Sequence, residues 1–346
     1  MAAHEYDEVA MSALRRMRGW LSARRRFQFV ATLVMVTGLT AACGALLMIP
    51  NSVLPTLRAV VPGQDAAGST ATDPQVPVVK RTMDYYGKLV AEPVSTGSGR
   101  IGVVLGHPAQ RADIDVLASE LAAATTAVTS LWGPDWNQAP VVVVASSPAE
   151  FAALTHAVGD VPAEVAASTV ADPVRPGAEL TGQRVVFGPQ AGHRLGPDGL
   201  RAVLRHELTH MATRKITVDG SPMWMLEGAA EYTAHRGMHR PVTEIAPTLT
   251  ARARTGDLPA DLPADAMFAP TSGQASLAYE QGWSVCAFIA DKYGDPKLVD
   301  LYRQLASGPK DRAALDSAFR TTLDTGYPDF VTDWRAWITS RTAAGA

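Results

Sequence analysis

The sequence predicts an α+β fold, a small sheet with helices packed on it followed by a mainly helical C-terminal lobe, preceded by one transmembrane helix. Three observations predict it. Residues 27–49, FQFVATLVMVTGLTAACGALLMI, run without a charge. Between residues 100 and 189 short β-branched runs alternate with stretches of helical spacing. Beyond residue 189 the apolar positions that can be read repeat at helical intervals.

The first element is the apolar run. A helix rising 1.5 Å per residue over residues 27–49 spans a hydrocarbon core of about 30 Å. Arg15, Arg16, Arg18, Arg24, Arg25 and Arg26 precede it, and the next basic residue is Arg58. The positive-inside rule therefore keeps residues 1–26 in the cytoplasm and sends everything after the span across the membrane. Its length exceeds the apolar core of a cleaved signal peptide, which favours an uncleaved anchor. The alternative is a lipoprotein held at Cys43 in LTAAC, although Thr40 stands where a lipobox usually has leucine. Residues 50–80, with PGQDAAGSTATDPQVP at their centre, read as a flexible linker. The folded extracytoplasmic domain is then 81–346.

Within that domain RIGVVLG (100–106), APVVVVAS (139–146) and QRVVFGP (183–189) read as strands. ADIDVLASELAAATTAVTSLWG (112–133) has helical spacing ending in glycine, and PAEFAALTHAV is a short helix opened by Pro148. A net charge of −3 and the absence of recurrent nucleic-acid modules exclude nucleic acid as a partner. Cys43 lies in the apolar span, so Cys286 has no partner for a bridge in the exported part and reads as core filler in WSVCAFIADKY. Trp283, Trp334 and Trp337 read as core, and His107, His156 and His193 as surface or loop residues.

GPDGLRAVLRHELTHMATR reads as a helix with Leu200, Val203, Leu204, Leu208 and Met211 on one face. HELTH (206–210) places His206 and His210 one turn apart on one side, where two imidazoles reach one ion. At roughly 100° per residue Glu207 is turned away from both, which suits a base beside a metal better than a ligand to it. A catalytic zinc usually takes three protein ligands. SPMWMLEGAAEYTA (221–234) begins a second helix, with Ser221 as N-cap and Pro222 as first helical residue. It sets Glu227 among Trp224, Met225 and Leu226, where a carboxylate needs a partner.

HELTH followed by WMLEGAAEY resembles the gluzincin metallopeptidases, the thermolysin-like clan, and most of all the minimal bacterial domains named peptidase MA-like. The likeness runs from RVVFGP to FRTTLDTGYPDFVTDWRAW. It implies a zincin-like domain with an HExxH active-site helix, zinc (Zn2+) on His206, His210 and Glu227, and Glu207 as general base. It also implies Glu231, one turn beyond Glu227, as acceptor of a ligand histidine's free ring N–H. In similar domains a tyrosine opens the helix after the ligand helix, which favours Tyr279 in LAYEQGWSV as oxyanion donor over His235 or His239. The metzincin pattern is excluded, because it requires Gly and His where this chain has Thr213 and Ile216. The Gly-x-Met-x-Asn element of the clan's large aminopeptidases is missing.

The function so implied is a membrane-anchored zinc metallopeptidase acting on peptide or protein substrates outside the cytoplasmic membrane. The competing expectation is a non-catalytic binding or scaffold module on the same fold. Glu207 separates the two, since a structural site has no use for a base beside an open ligand position.

Overall fold

Alternating residues of the central strands feed two different cores. The computed structural model describes residues 75–343, apart from 98, 158–164 and 173–179. Residues 1–74, which hold the segment read as cytoplasmic, the apolar run with Cys43 and most of the stretch read as linker, lie outside the described residues.

The sheet has five strands in the order β1-β2-β3-β5-β4. They are β1 (Val90–Thr96), β2 (Arg100–Gly106), β3 (Val141–Val144), β4 (Ala167–Val170) and β5 (Arg184–Phe187). β2, β3 and β5 run parallel, while β1 and β4 are antiparallel edges. Val104, Val142, Val144, Val185 and Phe187 face helices α2 (Arg111–Trp132) and α4 (Ala191–Thr213). Val103, Leu105, Val141, Val143 and Val186 face α1 (Val76–Asp84) and α3 (Pro148–Thr155) on the other side. Fully covered central strands explain their unbroken valine runs.

Three features depart from the expectations. Helix α1 takes in residues 76–80 of the stretch read as linker, because Val76, Val79 and Met83 share one buried stripe. β1 escapes the pattern of a buried strand because it is an edge, half exposed, with Pro93 opposite Val103. Proline is tolerated there because an edge strand leaves half its N–H groups unpaired. β4, ASTV, is too short and too small in its side chains to show a period.

α2 is long and apolar enough to cross a membrane by length and composition. Here it is a core helix, burying Ile114, Leu117, Leu121 and Val128. Its buried Glu120 pairs with Arg205 of α4 at 2.6 Å, which ties the two helices on this face of the sheet.

After the sheet the chain is helical: α5 (Met223–His235), α6 (Val242–Ile245), α7 (Pro247–Arg254), α8 (Ala275–Tyr293), α9 (Asp295–Leu305), α10 (Arg312–Leu323) and α11 (Tyr327–Ala343). Their shared core holds Trp224, Phe268, Trp283, Phe319 and Trp334, whose indole N–H donates to Ser284 Oγ at 3.0 Å. Cys286 lies in this core as expected, fully covered, and burial pushes its thiol up.

Candidate metal centre

The HELTH segment is straight helix because the break falls before it. Gly196 has φ 66°, outside the helical region, and Pro197 restarts α4 with its φ already set for a helix. From there Leu200, Val203, Leu204, Leu208 and Met211 bury toward the sheet as their spacing predicts. The other side meets α5. His206, Glu207, His210 and Glu227 are 4 %, 1 %, 8 % and 0 % exposed.

Ser221 does not cap α5. Its hydroxyl donates to the Val218 carbonyl at 2.7 Å and accepts the Gly308 N–H at 3.0 Å, which fastens the preceding turn. The helix starts one residue later than expected, at Met223, whose N–H donates to Asp265 Oδ1 at 2.9 Å. A carboxylate from a distant 3-10 turn thus satisfies an end that Ser221 is well typed to satisfy but not placed to reach.

Three donor atoms converge. His206 Nε2 is 3.0 Å from His210 Nε2 and 3.3 Å from Glu227 Oε2, and His210 Nε2 is 3.6 Å from the same oxygen. Tetrahedral zinc with ligands at about 2.0–2.1 Å sets neighbouring donors roughly 3.3 Å apart, so these three span one face of such a site. Among the described residues, this trio is the one cluster of His, Cys, Asp and Glu able to hold a metal. Both Glu227 oxygens are buried without a hydrogen-bond donor, a condition that a cation relieves. The residues therefore fit zinc.

Electrostatics inside the cluster run against burial. Burial on its own raises a carboxyl, but His210 and His206 bring Glu227 down to about 2. Burial lowers an imidazole, yet Glu227 and Glu231 hold His206 well above its ordinary value.

Glu231 lies one turn beyond Glu227 on α5, against His206. Its Oε1 lies 3.1 Å from His206 Nδ1, a bent approach, and its Oε2 lies 3.6 Å from His235 Nε2. The contact puts Glu231 on the Nδ1 side of the His206 ring, opposite the Nε2 that faces His210 and Glu227. His235 is thereby placed against Glu231, while His239 is exposed at a turn with φ 51°. Tyr279, in the second turn of α8, sets its ring 6.4 Å from the His206 ring and packs edge-on against Phe268.

Two groups were not foreseen. Thr169 on β4 donates to Glu207 Oε2 at 2.7 Å. Nothing in ASTV announces this, since the contact crosses from a strand to a helix. His107, read as surface or loop, lies in the loop after β2 but is buried, with Nε2 2.8 Å from Glu150 Oε1 and Nδ1 3.0 Å from the Lys88 carbonyl. It joins β2 to α3, away from the cluster.

Residues 195–340 match the family model of the Peptidase MA superfamily. The matched segment contains His206, Glu207, His210, Glu227 and Glu231, and it bears out the gluzincin-type resemblance drawn from HELTH and WMLEGAAEY. No curated protein matches the chain. Among solved structures, one of a mutant M1 zinc metallopeptidase from Deinococcus radiodurans is similar at 15% identity and TM-score 0.43, over 74% of this chain and 53% of that one. Another, of a two-domain M1 zinc metallopeptidase mutant bound to L-arginine, is similar at 16% identity and TM-score 0.38, over 74% of this chain and 52% of that one. The chain spans about half the length of both.

Proposed function

We propose that this chain is a zinc metallopeptidase that hydrolyses peptide bonds, anchored by residues 27–49 with its domain outside the cytoplasmic membrane. The observation that carries the reaction is Glu207: a buried carboxylate next in the chain to His206, with one oxygen held by Thr169 and Oε1 without a hydrogen-bond partner. A structural site gains nothing from such a group. The anchor rests on the apolar run and its arginine-rich front.

Zinc held by His206, His210 and Glu227 would supply an acidified water and a polarised carbonyl. Glu207 Oε1 is the proton acceptor, and its buried setting leaves no bulk water to compete for that proton. Glu231 keeps His206 in the tautomer that presents Nε2. Tyr279 is the donor proposed for the developing oxyanion, because its ring lies 6.4 Å from the His206 ring, although α6 and α7 stand between its helix and the ligand helix in the chain.

Glu207→Gln tests the reading with little structural change, since glutamine keeps the volume but accepts no proton at neutral pH. The variant should retain zinc and melt near the wild-type temperature while peptide hydrolysis falls at least about a hundredfold. Wild-type hydrolysis in this variant rules out Glu207 as base. If the wild type itself is inert on a diverse peptide library, the scaffold function takes its place.

A further inference from the structure

Glu207 sits at the head of a flexible side chain with three rotatable bonds, and a base so built must be aimed. On its own helix nothing aims it. The contact comes from the antiparallel edge strand β4, where Thr169 Oγ1 lies 2.7 Å from Glu207 Oε2 and 2.9 Å from the Glu207 carbonyl oxygen. One hydroxyl carries one proton, so these two acceptors compete for it. A charge-assisted O–H···O⁻ bond is roughly twice as strong as a neutral one, and the carboxylate therefore takes the proton while it is ionised.

The anchor is itself rigid. Thr169 pairs with Val185 in the sheet, and Ala167, on the same face, is fully buried in the core that includes Leu204 and Leu208 of α4. A β-branched side chain on a paired strand has few χ1 choices. The opposite carboxylate oxygen, Oε1, is buried with no hydrogen-bond partner. One oxygen is clamped and the other is left for chemistry.

We propose that Thr169 is a positioning residue for the reaction: it orients the Glu207 carboxylate so that Oε1 faces the metal cluster. The proposal rests on Glu207 being the base, and the experiment separates the two claims. Thr169→Val keeps the shape and β propensity but loses the hydroxyl, and Thr169→Ser keeps the hydroxyl and loses the methyl. The full zinc-loaded chain is assayed on the peptide substrate that the wild type cleaves, with zinc content and melting temperature measured in parallel.

The valine variant should lose about ten- to a hundredfold in kcat, as expected for a misplaced reacting group, with KM within about twofold and zinc stoichiometry unchanged. The serine variant should recover most of that loss. A crystal structure of the zinc-loaded valine variant should show the Glu207 carboxylate turned from its wild-type rotamer. If Thr169→Val keeps the wild-type kcat while Glu207→Gln is inactive, positioning by Thr169 is wrong and the base assignment stands. If Glu207→Gln is active, the base assignment itself fails. Serine as impaired as valine also overturns the proposal, because the methyl and not the hydroxyl would then matter.

Discussion

Gly228, the residue after Glu227, and Gly282 of α8 meet with no side chain between them. A Cβ built on Gly228 would fall well inside contact distance of the Gly282 carbonyl, while one on Gly282 would stand 3.1 Å from the Trp224 carbonyl oxygen. The ligand helix thus lies directly on the backbone of the helix that carries Tyr279.

Gly228→Ala should destabilise the domain by at least about 1–3 kcal/mol, the usual cost of overpacking, because the clash is with backbone that cannot rotate away. Zinc affinity should fall with it, since the displaced helix carries Glu227. Gly282→Ala, facing the looser contact, should cost less. Thermal melts and zinc competition titrations check both, and equal melting temperatures for Gly228→Ala and wild type would refute the close crossing.

Glu231→Gln should weaken zinc about ten- to a hundredfold while leaving one site per chain, the effect expected from losing a carboxylate that orients a ligand histidine. Competition with a chelator of known affinity measures it. An unchanged zinc affinity would reduce the 3.1 Å contact with His206 to an incidental one.

Burial pushes the Glu280 carboxyl up to about 7 from an ordinary 4.5, although Oε2 accepts the Leu249 N–H at 2.6 Å; the nearby Glu231 charge adds to the rise. The folded chain therefore binds a proton that the unfolded chain has released between these values. The stabilisation is fully present below pH about 4.5 and is lost as pH rises through about 7. Glu280→Gln stays neutral throughout. It should exceed the wild type in stability by about 1–3 kcal/mol at pH 8, with the gap closing by pH 5. Denaturant midpoints at the two pH values test this, and a gap independent of pH would contradict it.

Tyr279→Phe should keep zinc and fold, the ring being 2 % exposed and packed on Phe268, while slowing turnover by roughly ten- to a thousandfold. Steady-state kinetics decide. Unchanged turnover would make Tyr279 a packing residue.

His206, Glu207 and His210 were legible because a helix converts spacing directly into geometry, and five adjacent letters suffice. Glu227 was legible from its misfit among bulky apolar neighbours and from the gluzincin resemblance. The parallel strands announced themselves as covered valine runs, whereas β1 and β4 did not: an edge strand faces water on part of its surface and loses the hydrophobic signal. Thr169 and Asp265 were illegible for a different reason. Each acts across the fold on a residue 38 or 42 positions away, and nothing local marks the partner. Ser221 misled because capping propensity states what a residue can do at a helix start, not where the tertiary structure lets the chain turn. His107 misled because a histidine within a loop sequence is buried here by a carboxylate from the next helix.

The three donors sit on the seam between two hydrophobic cores. His206 and His210 ride on a helix whose opposite face is bolted to the sheet, and Glu227 rides on one whose opposite face belongs to the helical lobe. A slide or roll of either half against the other changes the spacings of 3.0, 3.3 and 3.6 Å before it disturbs either interior. At the proposed zinc site, affinity is therefore a gauge of alignment: substitutions deep in either core, with no path to the donors, should register in it whenever they tilt the seam.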